Sequence, residues 1–227
     1  MDLVPSAAFV MDKIDHRPWP LPQGRWVMAQ RWHDLLFAHW PVPVDELRQA
    51  VPAPLQIDTY ERRGWVGVIP FRMTGVRLRG LPALPWLSAF PELNVRTYVT
   101  YGDKPGVFFF SLDAGNHIAV RIARRWYRLP YYHARMASRI EREWVHYTCR
   151  RIHPGAQAAE FRAQYRPAGE AFRTARGSLE HFLTERYCLY AVDSHQRIYR
   201  AEIHHLPWPL QPAQPRITGT GRRGRGR

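Results

Sequence analysis

Glu92, Asn94, Arg96 and Tyr98 occupy every second position of the segment FPELNVRTYV, and Leu93, Val95, Thr97 and Val99 fill the positions between them. Alternation of this kind, with β-branched residues among the alternating set, marks a strand between two differing environments. The row carries a carboxyl group, an amide, a guanidinium and a phenol. On a solvated sheet face such a row does no chemistry, and composition alone favours that reading. Turned inward, a lone carboxylate or guanidinium would be costly, so Glu92 and Arg96 would pair with each other or with an incoming ligand. A second group follows at Tyr131, Tyr132 and His133. Tyrosine beside proline is usually a core aromatic. A phenol can also hold a carbonyl or carboxylate oxygen and, with a lowered pKa, exchange a proton, and His133 is the best placed acid–base histidine.

Other chemistry finds less support. Ser111 and Asp113 share a strand face, but no GxSxG motif accompanies them, so turn or cap bonding suits both better than nucleophilic catalysis. None of the 11 histidines stand at HxH or HxxxH spacing, and no metal site is expected. His39 lies in an apolar stretch where a satisfied core histidine is the commoner case. His146 and Cys149 fall on opposite faces of one predicted strand, which disfavours a dyad. The two cysteines, Cys149 and Cys188, show no disulfide or metal spacing.

The elements that must position the first two groups are legible around them. Turn residues GDKPG separate the alternating strand from a very apolar one over 107–113, and the two should pair as a hairpin. Asn116 can cap a helix on which Ile118, Ile122 and Trp126 recur, and Leu129-Pro130 should end it. Tyr131 would then begin a loop. Upstream, residues 35–40 read as a buried strand, PVPVDELRQAVP holds one short helix, and 56–60 with 65–78 form a hairpin around Arg62, Arg63 and Gly64. The proline-rich run RGLPALPWLSAFP is a long loop that could serve as a wall or lid. Downstream, 144–152 and 161–166 are strands, Ser178 caps the helix SLEHFL, and 187–192 with 198–204 form a last hairpin. The tally is about nine or ten strands and three short helices, a mainly β (α+β) chain. Residues 1–24 read as a proline-rich arm, 25–212 as one domain, and 213–227 as a disordered basic tail.

The run AVRIARRWYRLPYYHA aligns without a gap on the acetoacetate decarboxylase pattern AIAAGREIWGFPKKLA. Over nearly the whole chain, the segments WHDLLFAHWPVP, VGVIPFRMTGVRLRGLP, FPELNVRTYV, FFFSLDA and LPYY resemble the YqjF-like family of bacterial proteins, within the acetoacetate decarboxylase-like superfamily. The resemblance implies an antiparallel closed β-barrel with peripheral helices. It also implies that Glu92 points into that barrel, because a glutamate of the superfamily's site falls there. Tyr131 and Tyr132 stand where the decarboxylase has its lysine pair, and the only lysines are Lys13 and Lys104. A phenol cannot form an imine, so Schiff-base decarboxylation should be absent; the activated lysine of that enzyme is a standing example of the chemistry lost.

The expectation is therefore a small-molecule site in the barrel, for a carboxylate- or carbonyl-bearing ligand. Glu92 and Tyr131 would be its proton-transfer groups, and Arg96, Asn94, Tyr132 and His133 its ligand-binding groups. No cofactor is called for, and any reaction would be a proton transfer next to a carbonyl, of lyase or isomerase type.

The alternative is a nucleic-acid or polyanion-binding module. Net charge is +14, with 31 arginines against two lysines, and five arginines lie in the last twelve residues. Such a module would use the basic surface and the Arg/Gly tail; codon bias also explains the arginine excess, and with no nucleic-acid-binding signature, contact with nucleic acid itself would run only through the non-specific tail. The helix arginines Arg121, Arg124, Arg125 and Arg128 read as a solvated face. No apolar run is long enough to span a membrane and no signal peptide is present, which makes a cytoplasmic location the expectation.

Overall fold

A computed structural model describes residues 6–84 and 86–218. Helix α1 (Ala7–Asp12) precedes β1 (Met28–His33), β2 (Ala38–Val42), the short helix α2 (Val44–Arg48) and the two-residue β3 (Gln56–Ile57). The long central strands follow as β4 (Gly64–Leu78), β5 (Phe90–Tyr101) and β6 (Lys104–Ala114). Helix α3 (His117–Tyr127) leads into β7 (Tyr131–Glu141), β8 (Trp144–Arg151) and β9 (Glu160–Pro167). Helix α4 (Leu179–Thr184) leads into β10 (Cys188–Val192), β11 (Ile198–Glu202) and β12 (Ala213–Thr218). None of these helices is long and apolar enough to cross a membrane.

The β5–β6 hairpin forms as the alternation requires, closing at Tyr101↔Lys104 with Gly102 in the left-handed region (φ 59°). Its ladder has one irregularity: Val95 faces Ser111 and Arg96 faces Phe109, leaving Phe110 as a bulge. Asn116 accepts the N–H groups of Ile118 and Ala119 at the start of α3, and Ser178 accepts that of His181 at the start of α4. Arg128 ends α3 in the left-handed region, just before Leu129-Pro130. The apolar row Ile118, Ile122 and Trp126 is exposed, however, and α3 packs inward through Val120.

The closed antiparallel barrel is not formed. The sheet runs β1-β4-β5-β6-β7-β8-β9-β12, and both β7 and β10 join β6 in parallel. β12 takes the outer edge of β9, from Ala213↔Pro167 to Thr218↔Arg162, and among the described residues no ladder joins it to β1 at the other end. The sheet curls instead, and side chains bridge its two halves. The Tyr147 hydroxyl lies 2.7 Å from the Glu92 main-chain oxygen, and the Tyr165 hydroxyl donates to that of Asp34. Leu36, Leu93, Tyr147, Cys149 and Phe161 fill the space between.

Four further expectations change. β12 takes in residues assigned to the tail; only Ile217 is even partly buried there, so its sequence shows no apolar alternation, and residues 219–227 lie outside the described ones. β3 pairs with β5 through Gln56↔Thr100 and Ile57↔Val99, while a Tyr60–Arg63 bridge closes a separate tight turn. The proline-rich arm begins with α1 and is docked: the Arg17 guanidinium donates to Ile203 O (2.6 Å) and the Trp19 indole to Glu202 Oε2 (2.7 Å). Tyr131 and Tyr132 open a strand rather than a loop, because β7 pairs with β6 at once after Pro130.

Candidate functional site

The polar row of β5 is buried. Glu92, Asn94, Arg96 and Tyr98 keep 2, 1, 6 and 0 % of their surface exposed. Opposite Glu92, Asn94 and Arg96 in β4 stand Phe71, Ile69 and Gly67. Over this face lie Val120 of α3, Leu183 of α4 and the rings of Trp32 and Phe37. Gly67 leaves room for the His39 ring: a Cβ there would lie 2.7 Å from His39 Nε2.

The expected Glu92–Arg96 ion pair is absent. Four residues of extended strand separate the two Cα atoms by about 13 Å, too far for the carboxylate and guanidinium to meet. Arg96 turns to α4 instead, its Nη2 donating to Leu183 O at 3.0 Å and to the Tyr98 hydroxyl at 3.3 Å. That carbonyl is one of those left without an intrahelical partner at a helix C-terminus, so a guanidinium there is doubly favourable. The Tyr98 hydroxyl lies 2.9 Å from Leu183 O and 2.6 Å from His39 Nε2. Burial, with the Arg96 charge adding to it, pushes His39 down to about 3, so its ring is neutral. Arg186 completes this end, donating to Phe182 O and to Asp58 Oδ2, both at 2.6 Å.

Glu92 lies at the other end of the row. Burial, reinforced by the Asp113 charge, raises its carboxyl to about 8, against the pull of Tyr131 and Asn94, which favour the ionised form. At neutral pH it is mostly a carboxylic acid. Tyr131 shares its face, because Asn94 pairs with Leu112 and Leu112 with Tyr131. Burial and the neighbouring Glu92 raise the Tyr131 phenol well above its ordinary range. It therefore serves as a hydrogen-bond donor, not as the readily ionised phenol of the sequence reading.

The remaining predicted groups separate. Tyr132 pairs with Asp113 on the opposite face, where Arg151 lies 4.0 Å from its ring centroid. Arg151 in turn holds Asp113 in two hydrogen bonds of 2.7 Å. His133 lies on the Glu92 side of β7, across Ala114, but its ring centroid sits 5.8 Å from that of His117. The structure thus gathers Glu92, Asn94 and Tyr131, keeps Arg96 at the far end of the same row, and sends Tyr132 elsewhere. Sequence reasoning missed Arg151 and Arg186. Their partners lie 38 and 128 residues away, and no local spacing announces such pairs.

What distinguishes the row from an ordinary core is unfinished hydrogen bonding. Glu92 Oε2, Asn94 Oδ1, Arg96 Nε and Trp65 Nε1 are buried and have no hydrogen-bond partner among the described residues. Each such atom costs about 1–3 kcal/mol, and native interiors seldom leave them at three successive inward positions of one strand. Together they present one protonated carboxyl, one amide oxygen acceptor and two N–H donors. Neither lysine is near: Lys104 lies at the hairpin turn, 3.3 Å from Glu202, and Lys13 follows α1. A cleft of about 510 Å³ opens on the far flank of β6 and is lined by Tyr132, not by Glu92 or Tyr131.

The model of the DUF2071 family, described as uncharacterised conserved proteins, matches residues 29–222. The uncharacterised protein YqjF of Bacillus subtilis (strain 168) is 46% identical over 207 residues, covering 91% of this chain and 84% of YqjF. Among solved structures, an acetoacetate decarboxylase-like enzyme from Sphingomonas wittichii RW1 superposes with a TM-score of 0.56 at 14% identity, over 88% of this chain and 82% of that one. The enduracididine biosynthesis enzyme MppR, in complex with pyruvate, gives 0.54 at 8% identity, over 90% and 80%. At such identities the two structures speak to the fold alone.

Proposed function

Because the chain belongs to the DUF2071 family and has an acetoacetate decarboxylase-like fold, we propose that it binds a small carboxylate- or carbonyl-bearing molecule along the inner row of β5. The observation that carries this reading is the set of buried, unpartnered atoms on Glu92, Asn94 and Arg96. A ligand oxygen facing Arg96 Nε and a carbonyl oxygen facing Glu92 Oε2, beside the Tyr131 phenol, would satisfy atoms the fold leaves open on Arg96 and Glu92. Pyruvate in the structurally similar MppR is a ligand of this chemical class.

A carboxyl held at about 8 can give its proton to a carbonyl oxygen and recover it, or take one from the adjacent carbon once ionised. Efficiency in that role is greatest when the group's pKa lies near the working pH. Without a lysine amine no imine forms, so proton transfer beside a carbonyl is the reaction class these residues suit. Titration calorimetry with pyruvate tests the reading. Saturable binding is expected in the wild type and a loss of about tenfold or more in Arg96→Lys, which keeps the charge but removes the open Nε–H donor that a ligand oxygen would use. Borohydride added to the pyruvate complex should trap no covalent adduct. Equal affinity in wild type and Arg96→Lys would refute the placement, and a stoichiometric adduct on Lys13 or Lys104 would refute the chemistry.

A further inference from the structure

The cleft on the far flank of β6 has its own architecture. β5 occupies one edge of β6 along its length, so β7 and β10 must share the other. β10 pairs at Val107 and Phe108, and β7 only from Leu112 onward. Between them, over residues 109–111, no strand lies on that edge among the described residues, and this is where Phe110 forms the bulge. The cleft of about 510 Å³ opens at this gap, well within the range of small-molecule pockets.

Its lining combines an apolar floor with a cationic rim. Phe108 and Phe110 are partly buried and line it, with Leu129 and Pro130 beside them. At the rim stand Arg124 and Arg128 of the α3 end and Asp193 after β10. Arg124 donates to the main-chain oxygen of Tyr131 at 2.7 Å and has no carboxylate partner among the described residues. Arg128 and Arg197 share the one carboxylate of Asp193, at 3.2 and 2.8 Å. The cleft lining thus carries two guanidiniums and one carboxylate, which Arg197 outside the lining also engages, and a concave, partly apolar wall strengthens the positive field that remains.

We propose that this cleft is a second binding site, distinct from the inner row, for an organic anion with an aromatic body. The carboxylate would lie between Arg124 and Arg128, a geometry that guanidiniums favour, and the ring would rest on Phe108 and Phe110. The probe is 4-phenylbutyrate, titrated into the full chain while backbone amides are followed by NMR. Shifts should concentrate at residues 128–132 and 190–193. Arg124→Glu, an exposed substitution that gives up the hydrogen bond to Tyr131 O and should lower the melting temperature only slightly, should weaken binding about tenfold or more. The neutral analogue 4-phenylbutanol should bind correspondingly more weakly. Glu92→Gln should bind the probe like the wild type, which separates this site from the inner row. Shifts centred on residues 92–98, loss of binding in Glu92→Gln, unchanged affinity in Arg124→Glu, or no binding at millimolar probe would each overturn the proposal.

Discussion

Replacing Glu92 with glutamine should stabilise the protein, and increasingly so as the pH rises. The Glu92 carboxyl titrates at about 8 in the folded chain, against an ordinary 4.5. The folded state therefore holds a proton that the unfolded chain releases. Whatever Glu92 contributes is fully present below the unfolded value and is lost as pH climbs through the folded one. At about 1.4 kcal/mol for each pH unit of difference, the loss reaches about 3 kcal/mol at pH 7 and about 5 kcal/mol once both states are ionised. Glutamine keeps the size and the hydrogen-bonding character of the neutral acid but has no charge to desolvate. Urea denaturation at about pH 5, 7 and 9 should thus show the two proteins nearly equal at the lowest pH and diverging upward. His39 bends the wild-type curve the other way: depressed from 6.5 to about 3, it costs stability as pH falls below its unfolded value. That contribution is common to both proteins and cancels in their difference. A difference that stays flat with pH, or a variant less stable at the alkaline end, would show that Glu92 is already ionised and paired in the fold. The inner-row reading would then lose its proton donor.

The remaining predictions concern what holds the row in place. Arg96→Ala removes one of the two donors to Leu183 O, Tyr98 keeping the other, and should cost about 1–2 kcal/mol in urea unfolding, whereas an unchanged midpoint would mean the guanidinium does not cap α4. Arg151→Ala strands the carboxylate of Asp113, whose side chain is only 2% exposed; a loss of about 3–5 kcal/mol is expected, and Asp113→Asn in the same background should recover part of it. Truncation after residue 218 should leave the melting temperature unchanged, while truncation after 212 removes β12 from the β9 edge and should lower it by several degrees; equal melting of both would show that β12 adds nothing to the sheet.

How much of this was legible depends on the distance over which each feature is decided. The β5–β6 hairpin, the Asn116 and Ser178 caps and the end of α3 before Pro130 are settled by neighbouring residues, and the sequence displays them. The burial of Glu92, Asn94, Arg96 and Tyr98 could not be read from their polarity, since a solvated face shows the same alternation; it followed only from resemblance to proteins of the same fold. The last strand of the sheet was missed because residues 213–218 pair with β9 from some fifty residues beyond it (218 against 167), and that strand has almost no apolar face to reveal it. The row's ion pairing failed on simple length, because residues on one strand face recede from each other while strands from elsewhere bring partners close. Period two also explains the tyrosines. Read as a loop, Tyr131 and Tyr132 could both reach one site; placed in a strand, they must face apart. The doublet therefore divides between Glu92 on one side and the Asp113–Arg151 pair on the other, and only Tyr131 can act with the inner row.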